Sequence, residues 1–183
     1  IKMKNQQRYL KVMSHIKEKY PQIKTIELDK TDFIFENRIK LKCFHCAKYK
    51  TSWTCPPNIP DIDYRELINE YEHLVVLYLE MPFQNEEDFQ EVRKQTSVSL
   101  HKTILEIEKI LYESDFTLYN SFIGGSCKLC KNGCAPDKCR NPYLSRIPME
   151  ATGINVVETL KRKGIEIHFP PKEKLYRFGL IMF

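Results

Sequence analysis

Seven cysteines are the residues most able to do chemistry, and they fall into two groups with none outside them. Cys43, Cys46 and Cys55 form C-x2-C-x8-C, while Cys127, Cys130, Cys134 and Cys139 form C-x2-C-x3-C-x4-C. A lone cysteine usually packs as a small hydrophobe. Four within one stretch broken by Gly133, Pro136 and several lysines, with no apolar periodicity around them, read instead as thiolate ligands of a metal. Seven is also an odd number, so complete pairing into disulfides would leave one thiol over.

Thiolate-rich sites suit zinc, copper(I) and iron–sulfur clusters alike. Structural zinc usually takes two short pairs set well apart, each on its own turn. The second group instead spreads four cysteines through one loop, and differs only by single-residue insertions from the ferredoxin run C-x2-C-x2-C-x3-C-P. Cys55-Pro56 echoes the end of that run. The expected cofactor is therefore an iron–sulfur cluster of the [4Fe–4S] type, one or two per chain, with zinc as the alternative. The first group offers three thiolates, which leaves an open iron position, a fourth ligand from elsewhere, or a zinc completed by a neighbour. His45 is a weak fourth ligand, because residues adjacent in so tight a turn seldom all face one ion.

The elements that must hold these loops follow from periodicity. Tyr9, Leu10, Val12, Met13, Ile16 and Tyr20 recur near 3.6 and predict a helix over 6–20, stopped by Pro21. Ile23–Leu28 and Phe33–Phe35 alternate and predict two strands joined by a turn. Asp63 followed by Glu66 resembles a capping box opening a short helix to about Tyr71. Leu74–Leu79 is a continuous apolar run, the mark of a central strand buried on both faces. Phe89, Val92, Thr96, Leu100, Ile104, Ile107 and Leu111 trace the stripe of a long helix from Glu86 to Glu113. Phe116–Ile123 predicts a strand running into Gly124-Gly125 and the second cysteine loop, 153–163 a helix stopped by Gly164, and Leu175–Phe183 a last strand. The expected fold is α/β or α+β: a mixed sheet of about five strands flanked by helices. Two cysteine-rich loops, at 42–60 and 124–142, leave strand ends within a single metal-binding domain over 1–183.

The formal charge is +5, and lysines crowd both groups: Lys42, Lys48 and Lys50 at the first, Lys128, Lys131, Lys138 and Arg140 at the second. Cationic neighbours favour thiolates and reduced clusters. A four-thiolate cubane would carry about −2 and a three-thiolate one about −1, offsetting most of the apparent basicity. Nucleic-acid binding lacks support, since only Phe44, Tyr49 and Trp53 interleave with the basic residues. Trp53 reads as a hydrophobic shield beside Cys55. No P-loop, G-x-G-x-x-G, H-E-x-x-H or G-x-S-x-G occurs. The longest apolar run is far too short for a membrane span, and Ile1–Leu10 is polar and basic without the core of a signal peptide. The cytoplasm is the expected compartment.

Together the motifs resemble a known family. Lys42-Cys43-x2-Cys46, Trp53-x-Cys55-Pro56-Pro57, Gly125-x-Cys127-x2-Cys130-x3-Cys134-x4-Cys139-Arg140-x-Pro142, then Arg146, Met149-Glu150-Ala151 and Gly153-Ile154 resemble the predicted metal-binding proteins that carry domain of unknown function 2284. The resemblance runs from about Lys42 to Pro171. It implies metal bound by the three- and four-cysteine sets, an iron–sulfur cofactor and an anaerobic setting, and lends no reaction. Thr152 stands where a cysteine or another small residue is expected in relatives. Arg146 and Glu150 read as a pair that orients the second loop or binds substrate, or as a structural salt bridge.

The expected function is redox or electron transfer, or sulfur or metal delivery, with a redox or acceptor protein as partner. Whether the chain is an enzyme is open, as is its oligomeric state. The alternative is a non-enzymatic interaction module stabilised by zinc.

Overall fold

A computed structural model describes residues 2–183 and shows a mixed α+β fold built on one five-stranded sheet. The strands are β1 (Lys24–Glu27), β2 (Leu74–Pro82), β3 (Asn120–Ile123), β4 (Ile147–Pro148) and β5 (Lys174–Met182), in the order β1-β2-β5-β3-β4. All pairings are antiparallel except β3 with β4, where Phe122 lies opposite Ile147. The helices are α1 (Lys2–Lys19), α2 (Asn37–Phe44), α3 (Tyr64–Asn69), α4 (Glu86–Glu113) and α5 (Val156–Lys161).

Both faces of the sheet are covered, and the alternation along β2 explains why its sequence is apolar without a break. Val75, Leu77 and Leu79 face one core with Val12 and Ile16 of α1 and Leu100, Ile104, Ile107 and Leu111 of α4. Leu74 and Val76 face the other, with Ile68 of α3, Met149, Ile154 and Leu160. Successive side chains of a strand point to opposite faces, so a strand between two helical layers must be apolar at every position. Gly179 of β5 admits α4 closely: a Cβ there would stand 2.4 Å from Ile104 Cδ1.

Asn85 caps α4 by accepting from the Asp88 N–H at 2.9 Å, and Glu86, Glu87 and Asp88 complement the helix dipole. At α3, the Asp63 carboxylate accepts from the N–H groups of Arg65 and Glu66, the N-cap half of the expected capping box.

Four expectations need correction. Phe33–Phe35 forms no strand; the chain makes a 3-10 turn at Lys30–Asp32, Phe33 sinks into the core, and Phe35 makes one isolated bridge to Ile154. The first cysteine loop therefore leaves a helix, α2, rather than a strand. The strand predicted over Phe116–Ile123 begins only at Asn120, because Asp115, at φ 64°, turns the chain after α4. The helix predicted over 153–163 is shorter, α5 alone, because Gly153, whose φ of 92° no helix accommodates, closes the preceding 3-10 turn at Met149–Thr152. Gly164 ends α5 as expected, with φ 78°.

Candidate metal centre

The second cysteine loop leaves the end of β3 through Gly124 and Gly125. Gly124 has no room for a side chain: a Cβ would lie 2.4 Å from the Phe178 carbonyl oxygen of β5. Gly125 has φ 75°, and its N–H donates to Glu150 Oε2 at 3.2 Å. At the far end of the loop, Arg146 donates through Nε to Glu108 Oε1 of α4 at 2.8 Å and through Nη2 to Oε2. Arg146 Nη1 also donates to the carbonyls of Tyr143, at 3.0 Å, and Ser145, at 2.7 Å. The Ser121 hydroxyl of β3 donates to the same Glu108 carboxylate, which is 3% exposed. Buried His101 of α4 meets the Leu144 carbonyl at 2.9 Å; a carbonyl only accepts, so Nε2 carries the proton. Arg146 and Glu150 thus hold opposite ends of the loop without pairing to each other.

Between these anchors, Cys127, Cys130, Cys134 and Cys139 line one cavity of about 50 Å³. Its remaining wall includes Lys48, Ser52, Trp53 and Thr54 of the first cysteine loop. The Trp53 indole N–H donates to the Ala135 carbonyl at 2.8 Å, joining the two loops across 82 residues of chain. The Asn141 amide donates to Cys130 Sγ at 3.3 Å.

In the first group, Cys43 is half-buried in the last turn of α2, Cys46 is exposed and Cys55 is buried. The Cys46 N–H donates to the Cys43 carbonyl at 3.2 Å, and the Lys48 N–H points at Cys46 Sγ at 3.5 Å. The three lie within electrostatic reach of one another, and Cys55 is also within reach of Cys134 of the second group. His45, at the end of α2, is exposed and meets the Phe44 ring edge-on at 5.2 Å.

All seven cysteines are free thiols. Burial pushes the thiols of Cys43, Cys55 and Cys127 up; hydrogen bonds from Ser52 and Thr54 partly offset this at Cys55, and the Leu129 N–H does so at Cys127. Among the described residues, no three Cys, His, Asp or Glu side chains are gathered as a site for a single ion. The four thiols of the second loop surround a cavity without closing on a point. As a donor set they fit a soft, thiolate-preferring metal.

Cations adjoin this loop. Lys128 Nζ donates to the Ser126 carbonyl at 3.0 Å and to Ser97 Oγ at 3.3 Å. Arg177 Nη1 donates to the Gly124 carbonyl at 3.3 Å, and its Nη2 to the Arg93 carbonyl at 2.9 Å. Burial holds Lys128 below the ordinary lysine value, and Arg177, Arg93 and Lys48 push in the same direction. Burial likewise lowers Arg177, against the opposing pull of Glu150.

Sequence reasoning missed Glu108, Ser121 and His101 as anchors. The available signal was polar: His101 and Glu108, seven apart on α4, flank the apolar stripe and are both buried. Thr152 is fully buried, with its hydroxyl on the Met149 carbonyl at 2.6 Å.

A mixed five-stranded sheet with seven free thiols in two loops joined by the Trp53–Ala135 bond defines a thiol-rich α+β protein. The model of one family, described as "Predicted metal-binding protein (DUF2284)", matches residues 26–183, and the chain belongs to that family. The match is wider than the motifs alone implied, running from β1 to the last residue. No curated protein and no solved structure matches the chain. No helix among the described residues is long and apolar enough to cross a membrane.

Proposed function

We propose that the chain is an iron–sulfur protein in which Cys127, Cys130, Cys134 and Cys139 hold one [4Fe–4S] cluster. In this reading Cys43, Cys46 and Cys55 hold a second, three-thiolate cluster, and electrons, sulfur or metal pass to a protein partner. The observation that carries the reading is the single cavity lined by all four thiols of the second loop and walled by the first. When bound, such clusters take up and release single electrons at potentials set by charge, hydrogen bonding and exposure.

The chain's own residues supply those settings. The Asn141 amide on Cys130 Sγ withdraws charge from that sulfur and orients it. Lys48, Lys128 and Arg177 place positive charge beside a loop that becomes anionic when its thiols lose their protons. Glu150, Glu108 and His101 keep the loop ends fixed, so that the ligands are presented from a rigid sheet and helix. Cys46, the exposed thiol, gives the three-cysteine group its access to solvent and to a partner.

The test is metal and sulfide analysis of the full chain purified without oxygen, with electron paramagnetic resonance after reduction. Iron with matching sulfide and a cluster signal are expected. Cys130→Ser should remove the second-loop cluster, and Cys46→Ser the other. A colourless protein with stoichiometric zinc would instead make the chain a zinc-stabilised interaction module, and equal iron in wild type and both variants would refute the assignment of ligands.

A further inference from the structure

A second cavity, of about 470 Å³, lies between α2 and the loop that leads into α3. Its size is that of small-molecule sites. Phe35, Lys40, Asp61, Arg65 and Gly153 are among its walls. Gly153 shapes it: a Cβ there would stand 2.9 Å from Lys40 Cε, so the lysine stem lies across the bare glycine backbone. The same glycine has φ 92° and belongs to the Met149–Ile154 segment, which the metal centre uses only through Glu150.

The charges lining this cavity are unevenly committed. Glu36 is held by Arg38, at 2.9 and 2.7 Å, and by the Asn155 amide at 2.7 Å. Asp63 accepts from the N–H groups of Arg65, at 2.8 Å, and Glu66, at 3.2 Å. Lys40, Arg65 and Asp61 are exposed at the mouth of the cavity, and among the described residues their side chains make no hydrogen bond or ion pair. Arg65 only stacks its guanidinium over the Phe35 ring, 5.0 Å from its centroid. One cavity therefore presents two uncommitted cations and one uncommitted carboxylate.

We infer that this cavity binds a small molecule bearing two acidic groups and one ammonium group, an amino dicarboxylic acid or a derivative of one. Lys40 and Arg65 take the acidic groups, Asp61 takes the ammonium, and Phe35 with the Lys40 stem covers the carbon skeleton. The inference does not rest on the metal reading, because none of these residues is a thiol.

The test is calorimetric titration of the full chain, purified without oxygen, with L-glutamate and with glutarate, which keeps both carboxylates and lacks the ammonium. L-Glutamate should bind saturably, and glutarate at least about tenfold more weakly, as expected for loss of one charge-assisted contact. Lys40→Met, which keeps the stem over Gly153, and Asp61→Asn should each weaken L-glutamate by a similar factor while melting like wild type. The inference is overturned by no saturable heat at concentrations on the order of 10 mM, by glutarate binding as tightly as L-glutamate, or by both variants binding like wild type. The heat is read whatever metal the chain carries, so this result stands or falls apart from the metal assignment.

Discussion

Replacing Arg146 with methionine isolates the anchor that holds the second cysteine loop to α4. The change keeps an apolar stem and removes the guanidinium, which contacts both Glu108 oxygens and two backbone carbonyls. Glu108 is 3% exposed, so its carboxylate is left with the Ser121 hydroxyl as its one remaining donor. Breaking a buried pair from one side costs about 3–5 kcal/mol, because the stranded charge is desolvated without compensation. The stability deficit of Arg146→Met should thus be about 3–5 kcal/mol. Urea denaturation of wild type and variant measures the difference directly. Adding Glu108→Gln removes the stranded charge and should restore part of the loss. A deficit under about 1 kcal/mol, or one that Glu108→Gln does not reduce, would show that this pair does not fix the loop as described.

Three other changes probe the same scaffold. Trp53→Phe keeps an aromatic ring and loses the bond to the Ala135 carbonyl; a cost of about 1 kcal/mol is expected, with faster hydrogen exchange in both cysteine loops and an unchanged rate in α1. Gly124→Ala drives a Cβ into the Phe178 carbonyl, so a loss of at least about 1–3 kcal/mol is expected from thermal unfolding, whereas alanine at Gly133 meets no atom within 4 Å and is opposed only by its φ of 73°. Burial holds the His101 imidazole below its ordinary value of 6.5. A depressed folded value means that the unfolded chain binds the extra proton more readily, so this stabilisation is intact above 6.5 and is lost as pH falls through the lower folded value. His101→Gln should flatten the acid side of the stability profile below 6.5, measured as Tm against pH.

The sequence was most legible where burial imposes a period. Leu74–Leu79 and the stripe of α4 could be read because a strand buried on both faces and a helix laid on a sheet leave unmistakable patterns. α2 was hidden for the opposite reason. None of its residues is buried, and Ile39, Leu41 and Cys43 recur with a strand-like spacing of two that no sheet uses. Phe33 and Phe35 carried a true alternation, but only one bridge, to Ile154, lay within reach of a backbone that turns at once into α2. The grouping of the cysteines was visible because the thiols of one loop are neighbours in sequence. That the two groups adjoin was not, since the link runs from Trp53 to Ala135 and depends on how β3 and α2 are placed. Arg146 and Glu150 read as a pair, orienting the loop, binding substrate or forming a structural salt bridge; Arg146 does form a salt bridge, but its partner, Glu108, lies 38 residues earlier on α4 and is not the Glu150 nearby.

The central claim is that all seven thiols are metal ligands. Alkylation of the air-free native chain, followed by mass spectrometry of each cysteine with and without prior removal of metal by a chelator, tests it one thiol at a time. The account predicts that all seven resist labelling in the native chain and react after chelation, including exposed Cys46, which nothing but a metal would shield. Equal labelling in the two states, at either group, would contradict it.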